Sequence, residues 1–379
     1  MTKGKLLIAA LATLVAALVL AACGGGGDEI GGGSESEATT VDASGEPSGE
    51  LVISNWPLYI DKQTVPDFEK ASGVSVKYIE DVNDNAEFFG KLQPQLDQGE
   101  SGGRSIFVVT DWMAKKMYDL GYVQNLDKSA IPNVEENLLP SLQHPSFDEN
   151  RDFSVPWQGG MTGVIVRTDL APDVRSICDL FDPKYKGKVE MLTEMRDTVP
   201  LVMKCNGVDL AQATEQDWLD AIDKIKQAAD DGQIRRFTGN DYARDLTSGD
   251  AAAVIGWSGD AVQLQADNPN IEWRMPTEGC MLWFDNMVIP VGAPNPTAAE
   301  AFMDYVYDAK HQAQIEEYVN YVTPVSGTKE IMLKQDPDLA NNQLVFPSDQ
   351  FTSKCDFAPT ITGEEEQKIT QAFEAVVSG

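Results

Sequence analysis

The chain has 379 residues, with 29 Lys and Arg against 60 Asp and Glu, 42% apolar residues and a formal charge of −31. It is too long for one ordinary domain and too apolar for a disordered protein, so two or three structural units are expected. The acidic excess excludes passive nucleic-acid binding and docking on anionic lipid through basic residues, and makes a cationic partner the first expectation.

Lys3 and Lys5 precede an apolar stretch over residues 6–20 that closes on Leu20-Ala21-Ala22-Cys23. The run is shorter than the roughly 20 residues a membrane span requires, and a small-residue cleavage site follows it, so residues 1–22 read as a signal peptide with a lipobox. A plain secretory signal with a fortuitous Cys is the alternative. The lipobox reading makes Cys23 the lipidated first residue, anchored to the outer face of a bacterial cell membrane. Residues 23–49 are Gly, Ser, Thr and unopposed acids, expected to form a disordered tether reaching roughly 25–30 Å. No later segment is apolar enough to span a membrane. Cys178, Cys205, Cys280 and Cys355 remain; outside the cytoplasm an even count favours two disulfides, in any of three pairings.

Residues 51–55 read as a buried strand, 61–71 as a helix ending at Gly73, and 74–80 as an alternating strand. A helix over 86–96, a strand over 105–109 and a helix over 112–120, stopped at Gly121, complete three alternations. That is the pattern of parallel β-α-β units and of an α/β fold. Further strands are expected at 163–167, 189–193 and 252–256, with helical stretches at 199–203 and 217–229. Residues 281–285 lead as a strand into 287–290, and helices follow at 298–306 and 363–377.

Ligands in open α/β sheets bind beyond the carboxyl ends of strands, which directs attention to the residues just after each strand. Trp56, Tyr59, Trp112, Trp257, Trp283 and Tyr321 fall at such ends or in loops, as do Glu194, Asp197, Asp260 and Asp285. A lone Trp is usually core and a lone surface acid is usually just solvated. The repetition of the pairing, Trp257 with Asp260 and Trp283 with Asp285, instead describes a site for an organic cation. An ammonium over an indole face gains roughly 0.5–2 kcal/mol, and carboxylates add charge-assisted hydrogen bonds.

Enzyme readings have less to stand on. His144 and His311 are far apart, with no HExxH and no His/Cys cluster at metal spacing, so no metal or other cofactor is expected. Gly256-Trp257-Ser258-Gly259-Asp260 lacks the second Gly of a nucleophile elbow, and no phosphate loop occurs. The strongest enzymatic alternative is a secreted glycosidase-like protein using a pair such as Glu194 and Asp285 as acid and nucleophile.

Ile53-Ser-Asn-Trp-Pro-Leu-Tyr59, Phe181-Asp-Pro-Lys-Tyr-Lys-Gly187, Trp257-Ser-Gly-Asp-Ala261, Glu278-Gly-Cys-Met-Leu-Trp-Phe-Asp-Asn286 and Asn320-Tyr-Val-Thr-Pro324 together resemble the spermidine/putrescine-binding proteins of ABC importers. The resemblance runs from about residue 50 to the C-terminus. It implies a type II periplasmic-binding-protein fold, two α/β lobes joined by crossing strands with the ligand cleft between them. Residues 50–160 and 284–328 fall to lobe 1, and 161–283 and 329–379 to lobe 2.

It also implies that Trp56, Tyr59, Thr110, Trp112, Trp257, Trp283 and Tyr321 line the cleft and that Asp285 grips an amine. The acidic loop matches imperfectly. Without a gap, Met195 and Thr198 stand where the family has carboxylates, whereas a one-residue shift brings Asp197 into place with Glu194 nearby. Asp260 replaces a small residue of the family, and Asp241 and Tyr242 are candidates for the mouth. The lobe assignment favours the pairs Cys178–Cys205 and Cys280–Cys355. The implied function is that of a monomeric binding lipoprotein delivering a polyamine to an ABC permease and its ATPase, with another small solute as the alternative cargo.

Overall fold

The computed structural model describes residues 38–361 and 363–379. The predicted signal peptide, Cys23 and the first part of the predicted tether lie outside the described residues. Within the described part of that tether, residues 39–41 depart from expectation. Val41 is buried, its amide donates to the Asn125 carbonyl at 2.9 Å, and the Asn125 amide donates to Thr39 at 2.9 Å. Residues 39–41 thus lie on the folded body as a short parallel bridge, because one apolar side chain and a run of free backbone groups are enough to dock them.

The first strands and helices follow the alternation expected: β1 (Glu50–Asn55), α1 (Thr64–Ser72), β2 (Ser75–Glu80), α2 (Asn85–Leu96), β3 (Ile106–Thr110) and α3 (Asp111–Asp119). Gly73 ends α1 in the left-handed conformation, with φ 75°, and donates its amide to the Glu69 carbonyl. Asp84 caps α2 by accepting the Glu87 amide at 2.9 Å. After α4 (Pro132–Asn137) comes a long strand, β4 (Val155–Arg167), and then β5 (Val189–Leu192), α5 (Met195–Cys205) and α6 (Glu215–Asp230). A capping box of Thr214 and Asp217 starts α6, whose buried Trp218, Ala221, Ile222, Ile225 and Ala228 keep helical spacing.

The chain continues through β6 (Ile234–Thr238), α7 (Tyr242–Ser248), β7 (Ala253–Trp257), α8 (Ser258–Asp267), β8 (Ile271–Arg274) and β9 (Cys280–Val288). It finishes with α9 (Pro296–Val306), α10 (Ala309–Val319), α11 (Thr328–Gln335), α12 (Pro337–Ala340), α13 (Asp349–Thr352), β10 (Cys355–Asp356) and α14 (Gly363–Val377).

The strands join in the order β2-β1-β3-β9-β4-β7-β5-β6, with β8 beside β4 and β10 beside β9. Pairing is parallel within β2-β1-β3 and within β7-β5-β6. Between these two groups the antiparallel strands β4 and β9 run side by side, from Val155 opposite Met287 to Thr162 opposite Met281. The Asp285–Val288 end of β9 pairs with β3, and the Thr162–Val166 end of β4 pairs with β7. These two strands carry the chain from one α/β half into the other, the architecture of a two-lobed type II periplasmic-binding-protein fold.

The strand expected at 163–167 begins earlier, at Val155, and runs through Gly159 and Gly160. In the structure these glycines supply room. A Cβ on Gly159 would lie 2.3 Å from Phe284 Cε1, and one on Gly160 would lie 2.5 Å from Trp283 Cζ2. The two rings of β9 therefore cross directly over bare β4 backbone. Disulfides join Cys178 to Cys205 and Cys280 to Cys355, the favoured pairing; the second staples β10 to the start of β9. No helix among the described residues is long and apolar enough to cross a membrane.

Candidate functional site

A cavity with about 750 Å³ of empty space, open solvent at its mouth included, lies where the carboxyl ends of the strands meet the β4–β9 crossing. All eleven residues singled out from the sequence line it: Trp56, Tyr59, Thr110, Trp112, Glu194, Asp197, Trp257, Asp260, Trp283, Asp285 and Tyr321. They come from both halves. Trp56 and Tyr59 follow β1, Thr110 ends β3, and Trp112 stands in the first turn of α3, whereas Glu194 and Asp197 stand at the start of α5 and Trp257 and Asp260 at the β7–α8 junction. Trp283 and Asp285 project from β9. Tyr321 follows Asn320, which ends α10 in the left-handed conformation at φ 58°.

The aromatic residues form a continuous chain. Trp56 meets Trp257 edge to face at 5.9 Å between centroids, Trp257 meets Trp283 at 6.5 Å, Trp283 meets Tyr321 at 5.8 Å, and Tyr321 meets Tyr59 at 5.0 Å. Leu58, a non-glycine residue at φ 58°, lies in the turn between Trp56 and Tyr59 and is held by its amide on Glu80 Oε1 at 3.1 Å.

The carboxylates divide by what already satisfies them. Asp260 is held by three donors of the protein, accepting from Tyr242 Oη at 2.7 Å, Tyr321 Oη at 2.7 Å and Asn240 Nδ2 at 2.8 Å. Its candidacy as a cargo contact rested on position; the structure makes it the hub that holds Tyr321 and Asn240. Tyr242 is buried and Asp241 exposed, and neither is among the residues that line the cavity. Glu194 Oε1 accepts both the Asn85 amide at 2.6 Å and Asn85 Nδ2 at 2.9 Å.

Asp197 accepts from Trp257 Nε1 at 3.0 Å and from Thr162 Oγ1 at 2.7 Å, and Thr162 Oγ1 in turn accepts from Trp283 Nε1 at 2.9 Å. One acid and one hydroxyl thereby fix two indoles. Asp285 receives a hydrogen bond from Thr110 Oγ1 at 2.8 Å. The Tyr59 hydroxyl beside it is buried without a hydrogen bond of acceptable geometry. Thr198 is buried in α5 and donates its hydroxyl to the Leu192 carbonyl at 2.8 Å.

Burial dominates the electrostatics. It pushes the Asp285 carboxyl up to about 7, against the opposing pull of the Thr110 hydrogen bond, with Asp111 and Asp197 adding like charge. It lifts Asp197 to about 6, against the hydrogen bonds from Trp257 and Thr162, and Asp111 to about 6. Asp260 is raised by the same cause, and Glu194 well above the usual range by burial and then by Asp84. Burial therefore favours the neutral form of each of these acids, and a positive charge brought beside them would favour the carboxylate again.

Several residues at this site were missed from sequence. Arg196, the only cation among the described residues lining the cavity, holds its guanidinium 4.4 Å over the Trp112 ring and pairs with Glu366 at 2.9 Å. One face of Trp112 is therefore occupied. Thr162 and Asn85 had no local signal, being polar residues whose partners lie far along the chain. The described residues contain no group of three or more His, Cys, Asp or Glu placed to hold a metal ion. The arrangement is an aromatic trough walled by Asp285, which takes a single donor, and by Asp197, which takes one on each oxygen.

A profile described as "Bacterial extracellular solute-binding protein" matches residues 63–343. The spermidine/putrescine-binding periplasmic protein of Escherichia coli (strain K12) is 26% identical over 309 residues, 80% of this chain and 85% of that one. The putrescine/agmatine-binding protein of Pseudomonas aeruginosa is 25% identical over 365 residues, covering 90% and 95%. Among solved structures, a putative spermidine/putrescine ABC transporter from Listeria monocytogenes superposes with a TM-score of 0.78 at 26% identity, covering 86% of this chain and 98% of that chain.

Proposed function

The chain belongs to the bacterial extracellular solute-binding protein family, and from that premise we propose that its cleft captures a polyamine of the putrescine or spermidine class for an ABC importer. The observation that carries the reading is the pair Asp197 and Asp285, the first half-buried and the second buried, both raised in pKa, and bordered by the indoles of Trp257 and Trp283. An ammonium seated there receives charge-assisted hydrogen bonds from the acids, and its methylenes pack on the aromatic chain. Micromolar capture needs only about −8 kcal/mol, within reach of these contacts without any chemical step. The glycosidase-like alternative asks Glu194 to act freely as an acid, yet one of its oxygens already accepts two hydrogen bonds from Asn85.

In this reading residues 50–160 and 284–328 form one lobe and 161–283 and 329–379 the other, closing on the cargo around β4 and β9. The protein works outside the cytoplasm as a monomer, tethered through lipid on Cys23, and hands its cargo to a permease driven by an ATPase. Isothermal calorimetry with putrescine, spermidine, agmatine, a sugar panel and amino acids tests the proposal. Heat with a di- or polyamine and none with sugars is the expected outcome; clear binding of a neutral sugar with no response to any amine overturns it.

A further inference from the structure

We infer that Glu194 and Asn85 form a clasp across the cleft that sets how readily it closes, and that Glu194 acts on the cargo through closure and not as an amine anchor. The inference rests on the amine-capture reading above and assigns a different task to one of its acids. Glu194 is the residue preceding α5, where an acidic side chain ordinarily accepts amides of its own first turn; here it makes no such cap. Its Oε1 instead reaches the opposite half and accepts the backbone amide and the side chain of Asn85, the first residue of α2. The free N–H groups and positive end of α2 favour a carboxylate there.

Two further contacts join the same faces. A Cβ on Gly239, just after β6, would lie 2.6 Å from Asn83 Oδ1 and 2.8 Å from the Asn83 carbonyl oxygen, so the halves touch backbone to backbone beside the clasp. Arg196, two residues beyond Glu194, lies over Trp112 of α3, and its partner Glu366 also reaches Lys116 of α3 at 3.5 Å.

The clasp is wired to the cation-binding acid. Asn85 Nδ2 donates to Thr110 Oγ1 at 2.9 Å, the Thr110 amide donates to Asn85 Oδ1 at 3.1 Å, and Thr110 Oγ1 donates to Asp285. Closure thus orients the hydroxyl that presents Asp285, and an occupied Asp285 steadies the Asn85 side chain that Glu194 needs. For a closure residue the apparent affinity scales with the closed fraction and is blind to which amine is bound.

The test compares the wild type with Glu194→Ala and Gly239→Ala, the second of which wedges Asn83 without touching the cavity lining. Dissociation rates of putrescine and spermidine are measured together with the radius of gyration of the unliganded protein by small-angle X-ray scattering. Both variants are expected to weaken the two amines by a common factor of about ten or more, chiefly through faster release, and to enlarge the unliganded protein. A change of more than about threefold in the putrescine-to-spermidine ratio in Glu194→Ala, or a radius and release rate equal to wild type in both variants, overturns the clasp. If the wild type binds neither amine, the amine-capture reading fails on its own; the clasp then stands or falls on whether the two variants enlarge the unliganded protein.

Discussion

Cation capture in this cleft is expected to release a proton, and its affinity is expected to fall with acid. Asp285 and Asp197 titrate near 7 and 6 in the empty protein because burial penalises their charged forms. An ammonium between them requires both as carboxylates, so any proton held beforehand must leave. At pH 6 Asp285 is about nine-tenths protonated and at pH 8 about one-tenth, which weakens binding about tenfold over that interval; Asp197 adds about twofold. Together these give about twentyfold, or about 1.8 kcal/mol. Calorimetry at pH 6.5 in two buffers of different ionisation enthalpy reads the proton directly, with about one released per putrescine bound. Asp285→Asn should weaken binding at pH 8 by tenfold or more and leave about a quarter of a proton, the share of Asp197. Equal affinity at pH 6 and pH 8, with identical heats in the two buffers, refutes the reasoning.

The same residues carry stability effects. Because the folded-state pKa of Asp285 lies above its ordinary value of 3.8, the empty protein should lose stability as pH rises through about 4 to 7. Asp285→Asn should therefore raise the unliganded melting temperature at pH 8, by the equivalent of about 1–3 kcal/mol, and lose that advantage near pH 4; a lower melting temperature at pH 8 contradicts this. Thr162→Val removes the hydroxyl shared by Trp283 and Asp197 and is expected to cost about 1–3 kcal/mol in urea unfolding, with a loss of putrescine affinity. Gly160→Ala places a methyl against the Trp283 ring, and the altered near-ultraviolet circular dichroism should accompany weaker binding. Removing the Cys280–Cys355 bridge, which closes 75 residues, should destabilise by about 4.5 kcal/mol against about 3.5 for the 27-residue Cys178–Cys205 loop, measured by denaturant titration of the double-serine variants.

Much of the fold was legible because short-range rules held where they were strong. The helix stop at Gly73, the amphipathic stripe of α6 and the final helix all follow from residues within a turn or two of each other. The reading failed where a local signal had a distant cause. Gly159-Gly160 interrupts no strand, because Phe284 and Trp283 of β9 use the space. The helical stretch expected at 199–203 proves to be the inner part of α5, which begins four residues earlier at Met195. Residues 39–41 looked like tether because nothing nearby in sequence announces Asn125 as their partner.

Composition and periodicity determined an acidic α/β protein with tryptophans and carboxylates gathered at strand ends, since both depend on side-chain type and on spacing along one segment. They did not determine which carboxylates are available to a cation. Asp260, Glu194, Asp197 and Asp285 look alike in sequence, and they differ only in the donors that folding delivers. Asp260 receives three, from α7, α10's exit and the loop before α7; Glu194 receives two from Asn85 across the cleft, both on one oxygen; Asp197 receives one on each oxygen, from Trp257 and Thr162; and Asp285 receives one, from Thr110. A buried carboxylate is defined by its partners, and those partners come from segments up to 175 residues away, as Thr110 does for Asp285.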